Sequence, residues 1–83
     1  MEFKVFDNKI SYVDEQGNEL AKITFPEVSE GVFEIDHTIV DESLRGQGIA
    51  GKLVKQAVDE ITKRGGKVTA SCSYAKKWLE KNS

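Results

Sequence analysis

Apolar side chains recur with two different periods along this chain, and the change of period separates a strand-rich first part from a helical second part. Three short segments alternate between apolar and polar residues and end at turn-forming residues or at proline: 3–6, 9–13 and 20–25. A fourth segment, 32–40, alternates most clearly, and the polar stretch 27–31 precedes it as a connector. Because successive side chains of a strand point to opposite faces, we expect three antiparallel strands and a longer fourth strand.

The apolar period lengthens to that of a helix after residue 48. Apolar residues then recur on one helical face, at Ile49, Leu53, Val54, Ala57, Val58 and Ile61. Positive charge at Lys63 and Arg64 suits the carboxyl end of a helix, and Gly65 with Gly66 suits its termination. The pattern therefore predicts an amphipathic helix that ends near Arg64.

A short alternating segment, 67–72, follows this helix and is predicted to return to the sheet as a strand parallel to the fourth. Ser73 then provides a helix cap, and Tyr74 and Trp78 share one side of a terminal helix over 73–81. These elements predict an α+β fold in one domain, 1–83. The sheet is mostly antiparallel and contains one parallel strand–helix–strand unit.

The loop between the fourth strand and the first helix contains three glycines within six positions, Gly46, Gly48 and Gly51. A loop that opens a helix presents free backbone N–H groups at the positive end of the helix dipole. Glycine lets a ligand approach the backbone, and Arg45 adds a guanidinium group that suits phosphate oxygens. The loop is either a phosphate-binding site or an ordinary tight turn.

Composition and charge exclude several classes of protein. The chain has 83 residues, 39% of them hydrophobic, and a net charge of −2, which does not favour nucleic acid or an anionic membrane as a partner. One cysteine, Cys72, cannot form an intramolecular disulfide, and the first residues do not resemble a signal peptide. No apolar run approaches the roughly 18 residues of a membrane span. We therefore expect a cytoplasmic protein.

Three short motifs resemble a known family. Arg45-x-x-Gly48-x-Ala50 is similar to the acetyl-coenzyme A signature of the GCN5-related N-acetyltransferases (GNAT). Together with Asp36-His37-Thr38 and Cys72-Ser73-Tyr74-Ala75, the string Leu44–Ala50 resembles a small branch of that superfamily, reduced almost to its cofactor-binding half. The resemblance covers nearly the whole chain and implies a minimal GNAT-like fold.

The resemblance implies acetyl-CoA or coenzyme A as cofactor, with the pyrophosphate on the backbone amides of the Gly-rich loop, and it implies no metal. The cofactor-binding residues that it indicates lie in the fourth strand, the loop and the start of each helix: Ile39, Val40, Arg45, Gly46, Gln47, Gly48, Ile49, Ala50, Gly51, Ser73 and Tyr74.

Three residues are candidates for the chemistry. Strict alternation places His37 on the apolar face of the fourth strand, where it is either a buried imidazole or the proton acceptor that the resemblance implies. Cys72 lies at the carboxyl end of the fifth strand, across the expected gap from His37, and is either a small packed residue or an acetyl acceptor. Tyr74 either packs its ring or, as the resemblance implies, protonates the leaving thiolate.

The resemblance thus implies an N-acetyltransferase that acts on a small-molecule or protein amine. A coenzyme A-binding module without catalysis is the alternative, because the elements that usually shape the acceptor site are missing from this chain. A peptide-binding domain with an open edge strand is a third possibility. The acceptor and the oligomeric state stay open.

Overall fold

The first alternating segments form an antiparallel meander in the computed structural model, which describes residues 2–82. Its strands are β1 (Glu2–Val5), β2 (Lys9–Val13) and β3 (Glu19–Thr24). The turn between β2 and β3 is held by the Asp14 carboxylate, which accepts hydrogen bonds from the N–H groups of Gln16 and Asn18. The three predicted antiparallel strands are confirmed.

The segment that was predicted to be a connector contains a short strand, β4 (Glu27–Ser29), which pairs antiparallel with β5 (Val32–Ile35). All three residues of β4 are exposed, so no buried side chain marks this strand in the sequence. Backbone pairing alone defines it, and the connector prediction was wrong for this reason.

The predicted fourth strand is divided at Asp36 into β5 and β6 (His37–Val40). β6 joins the first sheet, whose strand order is β1-β2-β3-β6, whereas β5 lies in a second sheet of order β4-β5-β7. The Asp36 N–H donates to the Thr24 carbonyl at 3.2 Å, and His37 is also the register partner of Thr24. Asp36 and His37 therefore both lie opposite Thr24, as the two residues of a β-bulge do. The prediction of one continuous strand was wrong.

The bulge shifts the alternation by one residue and changes which side chains are buried. Phe33 and Ile35 face the core, but the side chain of His37 is 69% exposed, and Ile39 is 52% exposed. The half-buried residues of β6 are instead Thr38 and Val40. His37 therefore does not lie on an apolar face, contrary to the prediction from strict alternation.

The helix α1 (Ile49–Lys63) packs on both sheets. It buries five of the six residues that the helical period indicated, namely Ile49, Leu53, Val54, Ala57 and Ile61, and the sixth, Val58, is half-buried. β7 (Lys67–Ala70) runs parallel to β5, which confirms the predicted strand–helix–strand unit. The second helix, α2 (Ser73–Lys81), packs on α1 and β7 and buries Ala75. Between residues 2 and 82 the chain forms no helix of the length and hydrophobicity that a membrane crossing requires.

Candidate active site

A gap opens where the two sheets separate. β5 and β7 remain paired up to Ile35 and Ala70. The Ile35 carbonyl then accepts hydrogen bonds from the N–H groups of both Ser71, at 3.0 Å, and Cys72, at 3.2 Å. Beyond this point the first chain joins β3 as β6, and the second turns into α2. The gap therefore lies between β6 and the amino-terminal end of α2.

The open edge of β6 supplies backbone groups to this gap. The N–H of Asp41 donates to the Leu20 carbonyl of β3, and hydrogen-bonded pairs alternate with non-bonded pairs in an antiparallel ladder. Thr38 and Val40 are in the non-bonded positions relative to β3, so their N–H and C=O groups point away from it. An extended ligand that carries amides can pair with this edge as an added strand does.

The loop after β6 ends at a helix start whose first backbone N–H groups have no partner within the helix. Gly46 has φ +85° and Gly48 has φ +74°, in a region that other residues rarely adopt. Gly48 is the N-cap of α1, and the N–H of Lys52 makes the first bond of the helix with its carbonyl. The N–H groups of residues 49–51 precede that bond, and the helix dipole adds partial positive charge at this end.

This helix start borders a cavity of about 220 Å³. Its lining comes from the end of β6, the loop, the first turn of α1 and the start of α2: Val40, Leu44, Arg45, Gly46, Gly48, Ile49, Ala50 and Tyr74. A Cβ atom at Gly46 or Gly48 would meet no other atom within 4 Å, so the missing side chains leave this space open. The structure thus brings together most of the predicted cofactor-binding residues.

Four predicted cofactor-binding residues do not line this cavity. The side chain of Ile39 lies on the other side of β6, in a groove of about 140 Å³ that Lys22 also lines. Gln47 is exposed and donates to the Ser43 carbonyl at 3.4 Å. The remaining two lie at the starts of the helices, namely Gly51 and Ser73.

Gly51 lies where the two helices are in contact, and there is room at this position for a Cβ atom. A Cβ atom at this position would lie 3.4 Å from the Tyr74 hydroxyl and 3.8 Å from Nε1 of Trp78.

Ser73 is the first residue of α2, and the N-cap is Cys72, so the prediction of a serine cap was wrong. Leu44 lines the cavity but was not predicted as a site residue. Leu44 is 5% exposed. Its place in the motif, between the strand and the glycines, was the signal that could have indicated it as a site residue.

Cys72 contacts β6 across the gap. Its Sγ atom lies 3.8 Å from Oγ1 of Thr38, and the residue is half-buried. Partial burial raises the pKa of the Cys72 thiol, but hydrogen bonds from the Ala75 and Tyr74 N–H groups and from Thr38 lower it by more. The net pKa lies below the ordinary value, as expected for a thiol at a helix start. Thr38 was not predicted as a site residue, although the Asp-His-Thr string contained it.

His37 does not face Cys72. Thr38 is directed toward Cys72, and side chains alternate along β6, so His37 points to the opposite face of the sheet. Its Nδ1 atom lies 3.3 Å from Oδ1 of Asp36, which also accepts a hydrogen bond from the Thr24 hydroxyl. The predicted position of His37 across the gap from Cys72 was therefore wrong, because the bulge rotates it away.

Tyr74 lies in the first turn of α2, where its ring lines the cavity and is 45% exposed. The hydroxyl and the Cys72 thiol therefore both belong to the segment that closes one side of the gap. Among residues 2–82 no group of three or more His, Cys, Asp and Glu side chains could hold a metal ion. The arrangement combines a helix start with free N–H groups, an open strand edge, a thiol and a phenol.

Comparison with known proteins identifies relatives of nearly the whole chain. A family model described as GCN5-related N-acetyl-transferase matches residues 9–83. Protein NATD1 from Homo sapiens is 31% identical over 62 residues, which make up 75% of this chain and 55% of that protein. Protein NATD1 from Gallus gallus has the same identity over 56% of its length. The chain thus spans about half the length of these curated relatives.

Solved structures show the same fold. The solution structure of a GCN5-like protein from Staphylococcus aureus matches with a TM-score of 0.78 and 42% sequence identity, over 98% of this chain and 79% of that chain. A GNAT family N-acetyltransferase from Escherichia coli, solved in complex with CoA, matches with a TM-score of 0.64 and 25% identity. That match covers 70% of this chain and 35% of the other.

Proposed function

The chain belongs to the GCN5-related N-acetyltransferase family, and from that premise we propose that it transfers an acetyl group from acetyl-CoA to a primary amine. The observation that carries the proposal is the continuity of the gap between β6 and α2 with the cavity at the start of α1. An extended cofactor needs a strand edge for its amides and an anion site for its phosphates, and the open edge of β6 leads to the start of α1 in this order.

The proposed cofactor position follows from the residues that surround the cavity. The N–H groups at the start of α1 bind the pyrophosphate, and Arg45 neutralises part of its charge. The edge groups of Thr38 and Val40 pair with the amides of the pantetheine arm, which places the thioester near Cys72 and Tyr74. The relative from Escherichia coli was solved with CoA, which supports coenzyme A as the ligand class.

In the proposed direct route the amine nitrogen attacks the thioester carbonyl carbon, the C–N bond forms and the C–S bond breaks. Coenzyme A leaves as a thiolate, and the Tyr74 hydroxyl gives it a proton. His37 takes the proton that the amine loses, which requires the amine to approach from the exposed face of β6. The acceptor is a small molecule or a protein with such an amine.

The proposed covalent route uses Cys72. Its thiolate attacks the same carbonyl carbon, the C–S bond to coenzyme A breaks, and coenzyme A leaves as a thiolate while the acetyl group stays on Sγ. An amine then attacks this second thioester, the C–N bond forms, and Cys72 leaves as a thiolate that takes up the proton of the amine. The lowered pKa of Cys72 favours this route, because the thiolate is the nucleophile. We favour direct transfer, the route that the family resemblance implies.

A coenzyme A-binding module without catalysis is the second candidate. The orientation of His37 favours it, because the only histidine of the chain lies on the opposite face of β6 from Cys72. In that case the cavity would bind the cofactor, but no proton acceptor would serve the amine.

Calorimetric titration with coenzyme A and acetyl-CoA, combined with a timed assay for free thiol, tests the proposal. The amine panel contains spermidine, a lysine-bearing peptide and a peptide with a free α-amino group. Binding with amine-dependent thiol release supports the transferase, and binding without release supports the module. At a hundredfold excess over Kd the ligand should stabilise the fold by about 2.7 kcal/mol. Absence of both binding and stabilisation would refute both candidates.

A further inference from the structure

The bulge between β5 and β6 brings together two side chains that a regular strand would separate. We propose that Asp36 is a positioning residue that holds His37 with its proton on Nδ1, so that Nε2 is the proton acceptor. This inference rests on the proposed function of His37 and deepens it. It assigns a role to a carboxylate and to one atom of the imidazole.

The contact depends on the bulge. Neighbouring side chains of a regular strand point to opposite faces, so those of Asp36 and His37 would not meet. Here both residues face Thr24 of β3, and Nδ1 of His37 lies 3.3 Å from Oδ1 of Asp36. Bulges commonly redirect a side chain in this way beside functional sites.

Asp36 is held more firmly than the imidazole that it contacts. Its N–H donates to the Thr24 carbonyl at 3.2 Å, and its carboxylate accepts from the Thr24 hydroxyl. The Asp36 side chain is 28% exposed, whereas that of His37 is 69% exposed. The Asp36 carboxylate is therefore held by Thr24, and the more exposed ring of His37 orients against it.

The protonation state of Asp36 decides which group donates in the contact between Nδ1 of His37 and Oδ1 of Asp36. Partial burial raises the pKa of Asp36, and hydrogen bonds with Thr24 and His37 lower it by more. The group therefore remains ionised at neutral pH, and an ionised carboxylate only accepts hydrogen bonds. The contact with Nδ1 is favourable when that nitrogen carries the proton, which leaves the lone pair on Nε2 toward solvent.

The tautomer of His37 can be measured directly because the chain has one histidine. A long-range ¹H–¹⁵N correlation spectrum of the full chain, recorded at alkaline pH, distinguishes a protonated from an unprotonated ring nitrogen. We expect Nδ1 to be protonated in the wild type. In Asp36→Ala the two ¹⁵N shifts should exchange toward the Nε2–H form that free histidine prefers.

Asp59→Ala is the matched control, since Asp59 is an aspartate of α1 whose partner is Lys55. It should leave the spectrum of His37 unchanged. A wild type with the proton on Nε2, or an Asp36→Ala spectrum like that of the wild type, would overturn the inference. The wild-type spectrum decides even if Asp36→Ala does not fold. Thr24→Val is a second variant, which removes the hydroxyl that donates to Asp36 and keeps the carboxylate.

Titration of the same samples with coenzyme A separates this inference from the proposed function. The expected tautomer without coenzyme A binding would refute the function and leave the Asp36–His37 arrangement standing. Binding with the other tautomer would refute the role of Asp36 and leave cofactor binding standing.

Discussion

The sulfur of Cys72 lies 3.8 Å from the hydroxyl of Thr38, across the gap at which the two sheets separate. β6 and β7 belong to different sheets, so this contact joins two chain segments that share no ladder. It also connects the only thiol of the chain to the open edge of β6. The electrostatic state of Cys72 therefore depends on a residue far away in sequence.

Thr38→Val should raise the pKa of the Cys72 thiol. The hydroxyl of Thr38 is one of the groups that lower this pKa, and valine has a similar shape but cannot donate a hydrogen bond. The pH dependence of alkylation by iodoacetamide should therefore shift to higher pH. Thr69→Val, at an exposed position of β7, is the control and should leave the profile unchanged. An unchanged profile in Thr38→Val would show that the contact does not tune the thiol.

The folded state gains stability from this thiol in a defined pH range. Because the pKa of Cys72 is lower in the folded than in the unfolded chain, the gain is complete above the unfolded value. It is lost as the pH falls through the folded value. Urea unfolding of the wild type at several pH values should show this gain, and Thr38→Val should reduce it.

Gly48→Val should weaken coenzyme A binding by at least about tenfold. Valine strains the backbone at φ +74°, and its side chain would enter the open space beside the helix start. Gly17→Val is the control, because Gly17 has φ +84° and equally open surroundings in a turn away from the cavity. Calorimetry should show weak binding by the first variant and normal binding by the second. Equal affinities would indicate that the loop is only a turn.

Replacement of the two candidate chemical groups separates the two routes. With direct transfer, His37→Ala should lose about 10²–10⁴-fold in rate, the usual contribution of a positioned base, while Cys72→Ala keeps most of its activity. With the covalent route, acetyl-CoA alone should leave an acetyl group on Cys72, which intact-protein mass spectrometry detects. Full turnover in both variants would remove both residues from the mechanism.

Arg64→Ala should destabilise the fold by about 1–2 kcal/mol, because this guanidinium combines several hydrogen bonds with two cation–π contacts. Its partners are the carbonyls of Phe6 and Asp7, the carboxylate of Glu60 and the rings of Phe25 and Phe33. Lys55→Ala removes an exposed i,i+4 pair with Asp59 from α1 and should cost under about 0.5 kcal/mol. Urea unfolding would compare them, and equal losses would contradict the structural role of Arg64.

Local sequence patterns were sufficient to predict the elements whose conformation depends mainly on residues close to them in the sequence. The apolar period in the sequence predicted which residues α1 buries. The glycine at position 48, in a loop from strand to helix, indicated a positive φ there. The parallel β5–α1–β7 unit is also predictable, because a helix between two strands supplies the long crossover that parallel strands need. The family motifs then indicated most of the residues that line the cavity.

Pairing between strands that are distant in sequence decided two features that local patterns could not predict: the presence of β4 and the face on which His37 lies. β4 exists because its backbone bonds to β5, although none of its side chains is buried. The face of His37 depends on Thr24, thirteen positions earlier, since the bulge forms where the Thr24 carbonyl accepts the N–H of Asp36. The sequence by itself therefore determined the helices, the loop and the fold class. Only the tertiary structure decided which side chains meet, because one unpaired residue reverses the two faces of a strand.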